Sequence, residues 1–268
     1  MMKESAFVKK TKTSLHNLDF LKKPCVFDIV DSTNATARDF ATAGAQEGTV
    51  VIARTQRQGR GRYERRWESP EGGLYLSLIL RPESAYEKTS LLAFVAALAV
   101  AKTIRSYKVH ATIKWPNDVR VNGRKIAGIL LESEGQGQSI DYVIVGVGIN
   151  LAVDLKDLSS RIQTRSTSLH HELQNPVDYH EFLNTFITAF EHYYKSYQEQ
   201  RWDEIIDEWK TYSDTLGKNV RVKTMTGTLE GKAFDVDKSG FLLLLTSTGE
   251  TKKILSGDCL YFDELDHA

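Results

Sequence analysis

Apolar residues recur along the chain with two periods, and each predicts its own elements. VFDIV (Val26 to Val30), TVVIART from Thr49 and GGLYLSLIL from Gly72 are short alternating or continuously apolar runs bounded by turn residues, which predicts strands. Between the first two, DSTNATARDFATAG offers Asp, Ser, Thr and Asn as N-caps and Gly44 as a stop, which predicts a helix from Thr33 to Ala43. SLLAFVAALAVAKTIRSY is apolar on almost every face and predicts a buried helix. From Thr112 to Val147 three further strand runs follow: VRVN and RKIAGILLE, joined by the hairpin signal Asn122-Gly123, and then DYVIVGVGIN. Strands that succeed one another without intervening helices predict a largely antiparallel, mixed sheet covered by helices, an α+β fold rather than a doubly wound one.

From about Asp178 to Tyr212 the pattern turns helical, with an aromatic stripe expected to pack in the core. Beyond Leu216-Gly217 it changes to short alternating strands with glycine turns, KNVRVKT, GTLEGKAFDVD, GFLLLLT and ETKKILSG, which predict a small SH3-like β-barrel. The division expected is therefore an N-terminal arm over 1–24, polar and lysine-rich, a catalytic domain over 25–216, and a C-terminal β-domain over 217–268.

Composition narrows the classes. With 35 basic and 35 acidic side chains the formal net charge is zero, which argues against a globally basic nucleic-acid binder. Cys25 and Cys259 show no C-x-x-C spacing and are too few for a disulfide or zinc framework. The start, MMKESAFVKK, lacks the apolar core of a signal peptide, and no apolar run is read as reaching the roughly 18 residues that span a bilayer, so a cytoplasmic protein with no membrane partner is expected.

Against that neutral background, QGRGRYERRW (Gln58 to Trp67) is a local cluster of arginines interrupted by glycines. It is no dinucleotide fingerprint, because Glu64 stands where the third glycine belongs and the loop leads into a strand rather than a helix. No Walker A sequence, G-x-S-x-G elbow, H-E-x-x-H helix or EF-hand loop is present. Two readings remain for the loop: a solvated basic segment, or guanidinium groups that gather an anion, with Gly59 and Gly61 reaching positive φ to let the backbone approach it. In KWPNDVRVNGRKIAGILLE, Pro116 fixes the backbone beside Asn117 and Asp118, while Lys125 opens an apolar strand as a point charge for carboxylate or phosphate. Lys114 and Lys125 could equally snorkel along apolar surface. GVGIN ends a strand at Asn150, a side chain able to hydrogen-bond the edge of adenine. His170-His171-Glu172, adjacent rather than one helical turn apart, reads as a polar surface turn rather than a metal site.

In order, DSTN from Asp31, GRGR with RRWESPEGGLYLS up to Ser77, KWPNDV from Lys114, RKIAGILLE from Arg124 and GVGIN ending at Asn150 resemble the biotin protein ligases, also called biotin–[acetyl-CoA-carboxylase] ligases. The resemblance implies a class II synthetase-like catalytic domain that makes biotinyl-5′-AMP from biotin and ATP with Mg2+. Biotin then passes to a lysine of a biotin carboxyl carrier protein. It implies that Ser32, Thr33, Asn34, Gln56, Gly59, Arg60, Arg62, Lys125 and Gly128 bind biotin. ATP would be met by Arg60, Arg62, Arg65, Trp67, Lys114, Asn117 and Asn150, and catalysis carried by Lys125, Arg62, Arg65, Asn117 and Asp118. Asp118, with Asn117, would either orient the incoming amine or hold Mg2+.

Relatives in this family also dimerise through sheet edges, which leaves a homodimer open. Some repress biotin synthesis through an N-terminal DNA-binding domain; none is expected here, nor operator binding. That is one departure from the family pattern, and two more stand out: Gln58 and Glu64 replace small residues of the loop, and Phe262 replaces an arginine after Gly257-Asp258-Cys259-Leu260-Tyr261. A lipoate or octanoate ligase of the same fold is the nearest alternative, and a single-strand RNA-binding module using Tyr63 and Trp67 as stacking platforms is the alternative from another class.

Overall fold

A computed structural model describes residues 4–15, 18, 20–83, 86–137 and 139–262. The segment expected as a bare polar arm carries helix α1 (Ala6–Ser14), capped by Ser5, whose hydroxyl accepts from Val8 N and donates to Asp28. Its few apolar residues suffice to dock it, because Val8 and Leu15 are buried and Phe7 meets Tyr179 edge-on. β1 (Lys23–Val30) then begins two residues before the expected start of the catalytic domain.

From β1 the chain crosses through α2 (Thr33–Thr42) to β2 (Thr49–Gln56), which pairs with β1 in parallel. Then come β3 (Leu74–Leu80), the long helix α3 (Leu91–Ser106), β4 (Ala111–Lys114), β5 (Asp118–Val121), β6 (Arg124–Glu134) and β7 (Tyr142–Ile149). The seven strands lie in the order β1-β2-β3-β7-β6-β5-β4, with every pair after the first antiparallel. The mixed α+β sheet is as expected. β4 is an addition, since ATIK is too short to show a period of its own.

Helix α3 lies in the core on one face of the sheet. By length and mean composition Tyr86–Ser106 would pass as a membrane span, yet 78% of its most apolar window is buried inside the protein. It is a core helix. Short helices α4 (Ser160–Gln163) and α5 (Leu169–Leu173) follow β7, then α6 (Tyr179–Gln198) and α7 (Trp202–Tyr212). The aromatic stripe does pack in the core: Trp209 stacks on Phe94 of α3 at 4.2 Å. His170-His171-Glu172 is a turn of helix rather than a free surface turn, and Glu172 is an anchor that accepts from Arg124 at 2.7 Å and Asn122 at 2.8 Å.

The C-terminal strands β8 (Asn219–Thr224), β9 (Gly227–Val236), β10 (Leu242–Leu245), β11 (Thr251–Ile254) and β12 (Asp258–Tyr261) form an antiparallel sheet in the order β11-β10-β9-β8-β12. Trp115 ties this domain to the large sheet. Its indole donates to Gly240 O at 3.0 Å, and its backbone N donates to Thr215 Oγ1, which in turn lies 2.8 Å from the Tyr261 hydroxyl.

Candidate active site

Alternation along β7 clears the floor of the site. Val143, Val145, Val147 and Ile149 face the α3 core, while the opposite face carries Ile144, Gly146 and Gly148 in turn. Beyond Ile144, then, that face has no side chains. A Cβ on Gly146 would collide with Asn34 Oδ1, and one on Gly148 would sit 2.6 Å from the Trp67 ring. The resulting cavity, about 240 Å³, is walled by α2, the arginine loop, β6 and the segment around α4.

At one end lies a closed polar network. Gln56 Oε1 accepts from Thr33 N at 2.8 Å and Thr33 Oγ1 at 3.1 Å, while its Nε2 donates to Ser69 Oγ at 2.8 Å. Ser77, fully buried in β3, lies 2.9 Å from Thr33 Oγ1 and 2.6 Å from Asn34 Oδ1; its single proton serves one of them at a time. Asn34 Nδ2 donates to Glu132 at 2.8 Å, and Glu132 also takes Arg38 at 2.6 Å and Arg60 at 3.4 Å. One carboxylate thus ties the hydroxyl end to the loop. Ser32 is the N-cap of α2, accepting from Ala35 N, so its hydroxyl and the orphan N–H groups of a helix start share this wall.

The arginine loop is ordered by its own backbone. Gly61 N donates to Arg65 O at 2.7 Å and Trp67 N to Gly59 O at 2.8 Å. The expected positive φ falls not on the glycines but on Tyr63 (φ 54) and Glu64 (φ 58), at the tip. Gly59 is needed for a different reason: a Cβ there would strike the Trp67 carbonyl and sit 2.6 Å from Ser69 Oγ. Glu64 is exposed and does not line the cavity. Arg65 grips Asp258 through both ends of its guanidinium, one arm at 3.1 Å, and Arg62 donates to Gly257 O at 3.2 Å.

Across the cavity, Lys125 Nζ lies 2.5 Å from Asp118 Oδ1 and 5.2 Å from the Trp67 ring centre. Asn117 is clamped to Ile129, donating from Nδ2 to its carbonyl at 2.5 Å and accepting its N–H at 2.9 Å. That clamp leaves the Asn117 side-chain oxygen as an acceptor. Trp67 lies over Gly128 and Gly148 with its buried Nε1 unpartnered by protein. Asn150, which lines the cavity, donates from Nδ2 to Thr167 O at 3.1 Å, and its amide oxygen remains able to accept.

Most of the residues singled out in the sequence line this one cavity; Gly59 and Lys114 do not. Gly59 shapes the loop from behind, and Lys114 Nζ lies over the Tyr261 ring at 4.3 Å, in the seam with the C-terminal domain. Phe262, where the family arginine would stand, is 5.7 Å from the Arg221 guanidinium. Sequence reasoning missed Ser77, Glu132 and Asp258. Ser77 did carry a signal, being the one polar residue in the apolar run LYLSLIL.

Fold and site together place the chain in a class: residues 26–150 match the Biotin/lipoate A/B protein ligase family and residues 215–260 match the Biotin protein ligase C terminal domain. Among relatives, the Bifunctional ligase/repressor BirA of Bacillus spizizenii is 38% identical over 233 residues, covering 86% of this chain and 71% of the relative. The Biotin--[acetyl-CoA-carboxylase] ligase of Paracoccus denitrificans is 36% identical, covering 82% and 92%. Biotin protein ligase from Aquifex aeolicus, solved in complex with biotin and ATP, superposes with a TM-score of 0.77 at 30% identity, covering 90% of this chain and 99% of that one. The chain belongs to the biotin protein ligase family, and it is a biotin ligase enzyme.

Proposed function

We propose that the cavity performs both half-reactions of biotin ligation. In the first, a biotin carboxylate oxygen attacks the α-phosphorus of ATP, the bond to the β-phosphate oxygen breaks, and pyrophosphate leaves. In the second, the ε-amine of a lysine on a carrier protein attacks the acyl carbon, AMP leaves with the bonding electrons, and the amine gives up a proton. The observation that supports this best is the convergence, in one cavity, of a hydroxyl-and-amide end, four loop arginines, Lys125 and an adenine-competent acceptor at Asn150.

On this reading the Ser32, Thr33, Asn34 and Gln56 end takes the ureido head of biotin, and the bare floor at Gly128, Gly146 and Gly148 takes its ring and tail. Arg60, Arg62 and Arg65 meet the carboxylate and the phosphates. Lys125 meets the carboxylate oxygen and α-phosphate, where negative charge builds in both transition states. Trp67 packs against adenine, and Asn150 accepts from its exocyclic amine. No covalent enzyme intermediate is required, so positioning and electrostatics carry the chemistry.

Magnesium fits only in a limited sense. Among the described residues no three acidic, histidine or cysteine side chains cluster as a cage, and Asp118 is committed to Lys125. The ion would arrive on the triphosphate and supply charge neutralisation, held chiefly by phosphate oxygens. Asp118 is then assigned, with Asn117, to the incoming amine. Incubation with ATP and biotin, and separately with ATP and lipoate, followed by mass spectrometry for the acyl-adenylate, tests the reading. A biotinyl adenylate is expected; its absence, or a lipoyl adenylate alone, overturns it.

A further inference from the structure

Among the described residues, the C-terminal domain reaches the cavity with one residue, and that residue is a carboxylate: Asp258, at the start of β12. A carboxylate on the wall of a polyphosphate site is repulsive unless it is neutralised. Here it is neutralised, by the two-armed grip of Arg65, and the preceding residue adds a second tie through the Gly257 carbonyl to Arg62. Two consecutive residues of one domain thus hold two arginines of the other domain's loop, 195 and 193 positions away in sequence.

The loop's own backbone bonds set its shape and the Arg60–Glu132 pair ties its base to the large sheet, while these two contacts tie its far end to the C-terminal domain. Arg65 is 65% exposed while Asp258 is 23% exposed, so the carboxylate is the fixed partner and the arginine the held one. Asp258 itself is held by its place in β12, whose register against β8 puts it opposite Lys223. Cys259 and Tyr261, alternate residues of the same strand, are buried in the small domain's core. A two-armed guanidinium–carboxylate pair fixes orientation as well as distance. The Arg65 donors outside that pair stay available to an anion in the cavity.

We propose that Asp258 is a positioning residue for ATP: it moors the tip of the arginine loop to the C-terminal domain, so that Arg65 and Arg62 stand at the phosphate site before nucleotide arrives. This rests on the ligase reading above for its kinetic consequence, but not for its structural one. Ordering the loop in advance removes that cost from ATP binding.

The test compares wild type with Asp258→Asn, which keeps size and one acceptor but loses the charge, and with Asp258→Glu. In the unliganded full-length proteins, limited trypsin digestion read by peptide mapping should cut after Arg60, Arg62, Arg65 or Arg66 roughly two- to fivefold faster in Asp258→Asn, the range of an exposed ion pair. The difference should fade in about 0.5 M salt, where such a pair is screened. In the adenylation assay KM for ATP should rise by a similar factor and by more than KM for biotin, and Asp258→Glu should recover part of both the cleavage and the KM effects. Unchanged cleavage overturns the mooring. Faster cleavage with an unchanged or lower KM for ATP overturns its role in nucleotide binding. Should the wild type make no biotinyl adenylate, the ligase reading fails, and the digestion comparison still decides whether Asp258 moors the loop.

Discussion

Lys125 and Asp118 face each other across β6 and β5 as an ion pair, with Nζ 2.5 Å from Oδ1. The pair keeps the ammonium beside Trp67 and over the glycine floor rather than letting it swing to solvent. Lys125→Ala should slow biotin adenylation by well over tenfold, because removing one preorganised charge contact from such a site costs on the order of 3 kcal/mol. Single-turnover formation of biotinyl-AMP measures this. A rate equal to wild type would take Lys125 out of the chemistry.

Asp118 should separate the two half-reactions. With Lys125 on one side and the clamped Asn117 oxygen on the other, its carboxylate is placed to accept from the incoming amine. Asp118→Asn is expected to slow transfer from preformed biotinyl-AMP to a carrier protein more than it slows adenylation. If adenylation falls more, and its magnesium dependence shifts, the assignment to the amine fails.

Asn150 should discriminate between purine nucleotides. One Nδ2 proton is held by Thr167 O and the amide oxygen remains to accept, which suits the amino group of adenine better than the carbonyl of guanine. Asn150→Ala should reduce the ratio of ATP to GTP use by about tenfold or more, in line with the value of one buried hydrogen bond to a matched group. Asn150→Asp, which keeps an acceptor, should retain more of the preference. Competing the two nucleotides in one adenylation assay gives the ratio directly.

Fold and site were legible to different depths, for physical reasons. Long runs with a clear period, such as LYLSLIL and the aromatic stripe of α6 and α7, announce their elements because burial imposes the period. β4 and β12, four residues each, do not, since their pairing is decided by neighbours distant in sequence. The same holds at the site. Lys125, Asn150 and the loop arginines lie in compact motifs, whereas Glu132 reaches Asn34 across 98 positions and Asp258 reaches Arg65 across 193. Only the fold brings those pairs together. Gly59 and Gly61 mislead differently: their role is close approach of the loop to itself, and the left-handed residues are Tyr63 and Glu64.

Ser77 should matter to both stability and biotin binding. Its hydroxyl is fully buried between Thr33 Oγ1 and Asn34 Oδ1. Ser77→Ala leaves a buried acceptor without its donor, at a cost of about 1–3 kcal/mol. Chemical denaturation should show that loss, and KM for biotin should rise while KM for ATP stays near wild type.

Asp178 gives a stability prediction with a sign in pH. As the N-cap of α6 it accepts from His180 N at 2.8 Å and Glu181 N at 2.9 Å, and those backbone bonds hold its carboxyl below the ordinary value of 3.8. A depressed folded value means the contribution is complete above the unfolded value and is lost as pH falls through the folded one. Asp178→Ala should therefore cost about 1 kcal/mol at neutral pH. The gap from wild type should narrow as pH falls below the ordinary value of 3.8 in urea unfolding, as the carboxylate takes up its proton. A gap that holds constant over that range would show that packing, not the charged cap, accounts for it.

Gly148 and Trp67 can be tested as a pair, because one makes room for the other. A Cβ on Gly148 would stand 2.6 Å from Cε2 and 2.7 Å from Nε1 of the indole, too close for any carbon, and the ring is backed by Gly128 on the neighbouring strand. Gly148→Ala should therefore push Trp67 off the floor of the cavity and raise KM for ATP, while the backbone of β7, at ordinary φ, accepts alanine without strain. Trp67→Ala should raise KM for ATP by itself through lost contact with adenine. If the glycine acts only through the ring, adding Gly148→Ala to Trp67→Ala should cost almost nothing further, a coupling that a double-mutant cycle on ATP binding measures. Additive effects would mean that Gly148 is kept bare for biotin rather than for Trp67, and KM for biotin would then carry the larger change.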